Sequence, residues 1–118
     1  MNLLLDECLP RKLKRALPGH YVRTVPEMGW AGVENGELLP LIESKFEAFI
    51  TIDGNMRYQQ NMSGRSFALV VLSAWDNTIE TLLPLMPQVL AALPSVVPSQ
   101  IVKIAAQSET LLDEDVSR

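Results

Sequence analysis

The stretch FEAFITID, residues 46–53, has the composition of a buried β-strand that ends on an aspartate. NLLLD, residues 2–6, repeats this arrangement at the start of the chain, and SFALVVL, residues 66–72, is an apolar run without polar alternation. Runs of this kind are typical of parallel strands that are covered on both faces. HYVRTV (20–25) and QIVKIAA (100–106) predict two more strands, the second with polar residues that suit an edge.

Helices are predicted between these strands. Leucines at every fourth position predict a helix over 10–17, and Asn35 is predicted to cap a second helix. A third helix is predicted over 78–93, bent near Pro84 and Pro87. Strands that alternate with helices predict a single three-layer α/β domain, with helices on both faces of a mostly parallel five-stranded sheet in the order 2-1-3-4-5.

The composition is that of one globular domain: 118 residues, 47% apolar and 20% charged. We expect the domain to span residues 1–107 and the acidic, polar stretch 108–118 to be a mobile tail. The net charge of −4 argues against nucleic-acid binding by bulk charge, although a local basic patch would remain compatible with it. There is no apolar run of about 20 residues to cross a bilayer and no signal peptide at the start, so we expect a cytoplasmic protein.

Two predicted strands end in aspartate at the point where the strand order reverses. Asp6 follows the first strand and Asp53 the third, and these strands are neighbours in the predicted sheet. Open parallel sheets bind ligands at this edge, where two carboxylates can share Mg²⁺ or Mn²⁺, which polarises a phosphodiester and activates water. Glu37, at the start of the second helix, is a candidate third acid, and Asn55 is a candidate for orienting water or substrate. A turn or capping role is the alternative interpretation of each residue.

A basic face is predicted on the first helix, opposite its leucines. It carries Arg11, Lys12, Lys14 and Arg15, and Arg57 follows in the connection between the third and fourth strands. These five side chains are candidates for contacts with RNA phosphates. A solvated helix face is the alternative interpretation.

Other conspicuous residues have simpler explanations. Cys8 is the only cysteine, and we interpret it as a buried structural thiol rather than as a nucleophile paired with His20. Asp76 follows the fourth strand and is interpreted as a helix cap. Trp30 and Trp75 lie in predicted loops, where base stacking or a structural role would suit them.

The segments LLLDECLPRKLKRALPGHYVRTVPEMGWAG (3–32) and ITIDGNM (50–56) resemble the small PIN-like proteins often encoded in bacterial and archaeal toxin–antitoxin pairs. Those proteins typically open with a strand, DE-x-LP, a helix, and a strand leading to a glycine-containing loop, and later carry T-x-D-x-D-F. The resemblance covers residues 2–62 and extends to the remainder only in pattern. It implies a PIN-like fold and Mg²⁺- or Mn²⁺-dependent cleavage of RNA by a toxin. It also implies a cognate antitoxin as partner and a homodimer.

The resemblance also implies roles for individual residues. Asp6 and Asp53 match the metal-binding acids, and Glu37 matches a third catalytic and metal-binding acid. Two positions depart from the pattern, because Asn35 and Asn55 stand where the family has aspartate, while an aromatic residue is replaced by methionine at position 56. Fewer carboxylates imply weaker metal binding, so a catalytically degenerate PIN-like binding module is an alternative.

A receiver domain of the response-regulator type is a second alternative. In that interpretation Asp6 and Glu7 bind Mg²⁺, Asp53 accepts the phosphoryl group, Ser73 supplies the switch hydroxyl and Lys103 is the strand-5 lysine. The residue after Lys103 is isoleucine rather than the usual proline, and the first helix begins without the usual loop. A non-catalytic interaction module is the third interpretation that the sequence leaves open.

Overall fold

The computed structural model describes residues 1–52 and 61–106. Asp53, Asn55 and Arg57 lie outside the described residues, and so does the predicted tail 108–118. The strands are β1 (Asn2–Leu5), β2 (Tyr21–Thr24), β3 (Ala48–Ile52), β4 (Ala68–Ser73) and β5 (Ile101–Ala105). The α-helices are α1 (Asn35–Ile42), α2 (Ile79–Leu82) and α3 (Met86–Ala92), and 3-10 helices span Arg11–Ala16, Pro26–Met28, Leu83–Leu85 and Leu93–Ser95.

The five strands form one sheet in the order β2-β1-β3-β4-β5, and every neighbouring pair is parallel. This confirms the α/β class and the strand order predicted from the sequence. Leu5 lies opposite Thr24 on one side and Ile50 on the other, so β1 and β2 end at the same level and β3 continues for two residues beyond it. The strand order reverses between β1 and β3, which is where such sheets offer a binding crevice.

The core consists of two clusters that share the sheet. Leu3 and Leu5 belong to one cluster, whereas Leu4 belongs to the other, as expected for a strand whose alternate side chains point to opposite faces. The first cluster includes leucines from the helical segments 11–16 and 79–95, and the second includes Leu38, Leu39 and Ile42 of α1. Leu3 and Leu5 therefore belong to one core cluster with residues of these helical segments, and Leu4 belongs to the other with residues of α1.

The predicted first helix is a 3-10 helix rather than an α-helix. Its backbone bonds span three residues, with the Leu13 N–H donating to the Pro10 carbonyl at 3.1 Å and the Leu17 N–H to the Lys14 carbonyl at 3.3 Å. Prolines at both ends leave room for only two short turns, and Pro18 disfavours helical geometry at Leu17. The leucine spacing still buries the predicted side chains.

The helix predicted over 78–93 is divided into α2, α3 and two 3-10 segments. Pro84, Pro87 and Pro94 each lie in the first turn of one of the later segments. A proline is tolerated there because its missing N–H has no partner within the helix. The three prolines therefore produce breaks where the sequence suggested a bend.

The second helix begins one residue earlier than expected. Glu34 occupies the N-cap position and Asn35 is the first residue of α1, so the capping role predicted for Asn35 is wrong. The Glu34 side chain makes no capping hydrogen bond. In the described part of the chain, no helix is long and apolar enough to cross a membrane.

Side chains bind backbone groups on the outer strands. The N–H groups of Tyr21 and Val25 donate to the carbonyls of Met1 and Leu5. By alternation along the strand, the Thr24 N–H points away from the sheet, and it donates to Glu27 Oε1 at 2.8 Å. The Glu27 N–H in turn donates to the Thr24 hydroxyl at 3.2 Å, which completes a reciprocal capping box. On β5, the Gln88 amide donates to the Ala105 carbonyl at 2.8 Å.

Candidate metal centre at the carboxyl edge of the sheet

Asp6 lies directly after β1, where the strand order reverses, and is only 3% exposed. The Asp6 N–H donates to the Ile50 carbonyl at 2.9 Å, which extends the pairing between β1 and β3 by one residue. By strand alternation, the Asp6 side chain lies on the same face as Leu4. The sequence prediction that Asp6 stands at this edge of the sheet agrees with the structure.

Both carboxylate oxygens of Asp6 accept hydrogen bonds. The Thr51 hydroxyl donates to Oδ2 at 2.6 Å, and the Glu7 N–H donates to Oδ1 at 2.8 Å. Thr51 is 1% exposed and lies in β3, so this contact joins the two central strands inside the protein. A carboxylate oxygen has two lone pairs. Each Asp6 oxygen therefore retains capacity for a second partner, and oxygen ligands suit a hard divalent cation.

Burial raises the pKa of Asp6 above its ordinary value of 3.8. Hydrogen bonds from the Thr51 hydroxyl, the Glu7 amide and the Cys8 thiol act in the opposite direction but do not cancel the effect of burial. Ionisation of Asp6 is thus less favourable at this position than in water, and a bound positive charge would offset that cost. A cation would supply that charge, so the chemistry of this carboxylate fits a metal ligand.

Cys8 is half-buried next to Asp6. Burial, together with the negative charge of Asp6, raises the pKa of the Cys8 thiol to about 11. Cys8 and His20 also stand beyond opposite ends of the paired strands β1 and β2. The structure therefore agrees with a structural thiol and gives no support to a Cys8–His20 nucleophile.

Two loops meet beside Asp6. The Gly32 N–H lies 3.3 and 3.4 Å from the two carboxylate oxygens of Glu7, and Gly32 has the left-handed φ of +79° that favours glycine. From the loop after β4, the Asn77 side chain donates to the Cys8 carbonyl at 2.8 Å. Glu7 and Asn77 therefore fix the loops that flank Asp6, and Glu7 is already occupied by this contact.

The other predicted acids do not complete the site within the described residues. Glu37 is exposed in the first turn of α1, where an acid is favoured by the helix dipole. In residues 1–52 and 61–106, no three histidine, cysteine, aspartate or glutamate side chains come close enough to share a metal ion. Asp53 and Asn55 lie outside those ranges, so their predicted roles stay predictions.

The predicted basic face forms on the 3-10 helix, and part of it is neutralised. Lys14 Nζ lies 2.9 Å from Glu27 Oε2, and Arg11 Nε lies 3.9 Å from the same oxygen. Hydrogen bonds from Lys14 and the Thr24 amide lower the pKa of Glu27 to about 2. Lys12 and Arg15 are exposed.

The loop after β4 is shaped by Asp76 and Thr78. Thr78, not Asp76, is the N-cap of α2, and its hydroxyl accepts the Thr81 N–H at 3.4 Å. Asp76 Oδ1 instead accepts the Thr78 N–H at 3.1 Å and its hydroxyl at 2.9 Å. Trp75 is 90% exposed, with its indole N–H 3.3 Å from the Thr81 hydroxyl.

Sequence reasoning gave Thr51 no role, although the structure puts it against Asp6. The feature of the sequence that could have indicated a role for Thr51 is its position two residues before Asp53, within the T-x-D segment. The capping box between Thr24 and Glu27 was also readable, because the sequence TVPE has threonine and glutamate three residues apart. The Thr51 hydroxyl donates to the Asp6 carboxylate, whereas the Glu27 carboxylate accepts from the backbone N–H of Thr24.

Comparisons of this chain with protein-family models, curated proteins and solved structures found no match.

Proposed function

We propose that this chain is a Mg²⁺- or Mn²⁺-dependent ribonuclease of the PIN-like type that acts as the toxin of a toxin–antitoxin pair. The observation that carries the proposal is Asp6, a buried carboxylate at the reversal of the strand order whose pKa is raised by burial. Asp53 follows β3 directly in the sequence, and β3 is the neighbour of β1. The proposal further rests on the sequence resemblance of residues 2–62.

In this proposal Asp6, Asp53 and Glu37 are the catalytic and metal-binding acids, and Asn55 orients water or substrate. The cation supplies Lewis-acid chemistry to a phosphodiester when it is bound. Thr51 holds the Asp6 carboxylate in one orientation, and Glu7 fixes the adjacent loop through Gly32. Both are positioning residues.

The remaining features of the proposal concern RNA and partner proteins. Arg11, Lys12, Lys14, Arg15 and Arg57 are the proposed contacts with RNA phosphates. A toxin of this type would act in the cytoplasm, be held inactive by a cognate antitoxin, and form a homodimer. Light scattering at micromolar concentration tests the homodimer, and a monomeric mass would exclude it.

The register of β5 weighs against the receiver alternative. Lys103 lies opposite Val71, two residues before the pair formed by Ser73 and Ala105 at the carboxyl edge. The lysine side chain thus starts about 7 Å below that edge.

Metal binding tests the proposal directly. Mn²⁺ titrated into ¹⁵N-labelled protein is expected to broaden the amide signals of Glu7 and Thr51, and Mg²⁺ to shift them. Asp6→Asn and Asp53→Asn should abolish the effect, whereas Asp76→Asn, a matched loss of an exposed carboxylate near the same edge, should preserve it. Metal-dependent cleavage of a mixed RNA pool should follow the same pattern.

Each outcome of that titration has a distinct meaning. Broadening that survives in Asp6→Asn would refute the assignment of the site. Metal binding without cleavage would support the catalytically degenerate module instead, in line with Asn35 and Asn55 in place of family acids. The absence of metal binding at millimolar concentration would remove the proposed metal centre.

A further inference from the structure

Basic residues are concentrated on one side of an otherwise acidic chain. Two neighbouring clefts there have volumes of about 820 and 580 Å³. Six of the chain's ten lysines and arginines line them: Arg11, Lys12, Lys14, Arg15, Arg23 and Lys45. Lys14 lines both clefts, so the basic surface is continuous from the first 3-10 helix around the edge of β2.

The larger cleft lies over the outer face of β2. Tyr21 and Arg23 are two residues apart on this strand, so both side chains project from the same face into the cleft. Tyr21 is 78% exposed, which is unusual for an aromatic residue in a strand. Lys45 lines the cleft from the turn before β3. Because β1 lies between β2 and β3 in the sheet, Asn2 of β1 separates Lys45 from the side chains of β2.

Arg23 and Lys45 provide the charges in this cleft that are available to an anion, because Lys14 is paired with Glu27. None of the described residues that line it is acidic. Two carboxylates from neighbouring segments are occupied, because Glu27 binds Lys14 and Glu47 Oε1 accepts the Asn2 N–H at 2.9 Å. Lys45 Nζ lies 5.9 Å from the centre of the Trp30 ring, a cation–π contact that leaves its charge unneutralised.

We propose that the cleft over β2 is a binding subsite for single-stranded RNA, with phosphates on Arg23 and Lys45 and an unpaired base stacked on Tyr21. Aromatic side chains beside cations on an open sheet face are the combination by which proteins hold single strands. The adjacent cleft, which Arg11, Lys12 and Arg15 line together with Lys14, extends the basic surface and favours a polynucleotide over a mononucleotide. The choice of RNA rests on the proposed function.

The subsite is separate from the candidate metal centre. Asn2 lines the cleft, and Asp6 lies four residues further along the same chain, about 13 Å away at the usual strand rise. RNA bound at the cleft would therefore be held at a distance from the reaction. The cleft selects the strandedness of the substrate, and the metal centre performs the cleavage.

The test measures affinity for a fluorescein-labelled decaribonucleotide of mixed sequence by anisotropy, in EDTA so that cleavage is prevented. Tyr21→Ala should weaken binding of the single strand about ten-fold, whereas Tyr21→Phe should retain it, because stacking needs the ring and not the hydroxyl. Neither variant should affect binding of the same sequence as a duplex. These residues are exposed on the surface, and circular dichroism of each variant confirms folding.

The charge contribution is measured from the salt dependence. Arg23→Gln and Lys45→Gln should each lower the slope of log K against log salt by about 0.7, the value for one phosphate of a single strand. Lys103→Gln removes the same charge from an exposed position on β5 and should leave affinity and slope unchanged. Equal losses in Arg23→Gln and Lys103→Gln would overturn the subsite.

The subsite and the ribonuclease can fail independently. Cleavage that is unaffected by Tyr21→Ala and Arg23→Gln would overturn the subsite alone. Binding that depends on both residues, in a protein that never cleaves RNA with Mg²⁺ or Mn²⁺, would overturn the ribonuclease alone. Full displacement of the oligonucleotide by an equal concentration of AMP would identify a mononucleotide site and overturn the inference.

Discussion

Replacing Asp6 by asparagine is expected to stabilise the folded protein at neutral pH. The native carboxylate is 3% exposed, and its pKa lies above the ordinary 3.8 because burial outweighs its hydrogen bonds. A group whose pKa is raised by folding contributes stability below its unfolded pKa and loses that contribution as the pH rises through its folded pKa. At pH 7 the ionised Asp6 therefore lowers the free energy of unfolding.

Asparagine can keep the geometry of the site. Its Oδ1 can accept the Glu7 N–H, and its Nδ2 can donate to the Thr51 hydroxyl oxygen, which replaces the two observed bonds of 2.8 and 2.6 Å. Burying a carboxylate costs several kcal/mol, and two hydrogen bonds to a charged acceptor return about 1.5–3 kcal/mol each. The raised pKa shows that a deficit remains. We expect Asp6→Asn to gain on the order of 1 kcal/mol, or about 3–5 °C in Tm for a domain of this size.

Urea unfolding in EDTA at a series of pH values measures this difference. The advantage of Asp6→Asn should be full at pH 7 and should shrink as the pH falls toward 3.8, where the native side chain is protonated. Asp76→Asn should show the opposite sign, because hydrogen bonds from Thr81 and Thr78 lower the pKa of Asp76. If Asp6→Asn destabilised the protein equally at both pH values, Asp6 would be an ordinary turn residue and the argument for a cation site would fail.

Three further variants or reactions test other contacts. Glu27→Gln should lower the free energy of unfolding by about 1 kcal/mol above pH 4.5, after allowance for solvent screening. Folding lowers the pKa of Glu27 to about 2, so the difference between the variant and the native protein should disappear as the pH falls from 4.5 toward 2. Urea unfolding at several pH values measures this. Thr78→Ala should cost about 1 kcal/mol through loss of the α2 cap, measured by thermal unfolding, and Thr78→Ser should cost much less. The pKa of the Cys8 thiol is raised to about 11, so Cys8 should react with iodoacetamide at pH 7.5 roughly a hundred-fold more slowly than an ordinary thiol. Mass spectrometry follows the reaction. A rate equal to that of the urea-unfolded protein would contradict this expectation.

The strand order was predictable because each strand has a local signature. The apolar runs at 2–5, 48–52 and 68–73 carry few polar residues, which marks them as interior strands, and Lys103 marks β5 as an edge. The helix types were less accessible to prediction. A leucine at every fourth position is the spacing of an α-helix, so it did not indicate the 3-10 helix found at Arg11–Ala16, in which residues three apart share a side.

The structure tests one carboxylate of the predicted site, Asp6, because Asp53 lies outside the described residues. Asp6 follows a strand whose end is defined by its apolar run, so its location at the carboxyl edge follows from the fold. Its bond to Thr51 depends on the register between β1 and β3, which pattern alone does not fix. The pairing of Lys14 with Glu27 likewise depends on how the 3-10 helix packs against β2.

The side chains that bind the outer strands affect how this protein meets other copies of itself. An outer strand normally presents a row of unpaired amides and carbonyls that can template the addition of a strand from another molecule. Glu27 takes the outward amide of Thr24, and Gln88 takes the outward carbonyl of Ala105, so each edge of the sheet has a blocked position near its carboxyl end. Extension of the sheet from molecule to molecule, the first step of fibril growth, is thereby obstructed on both sides.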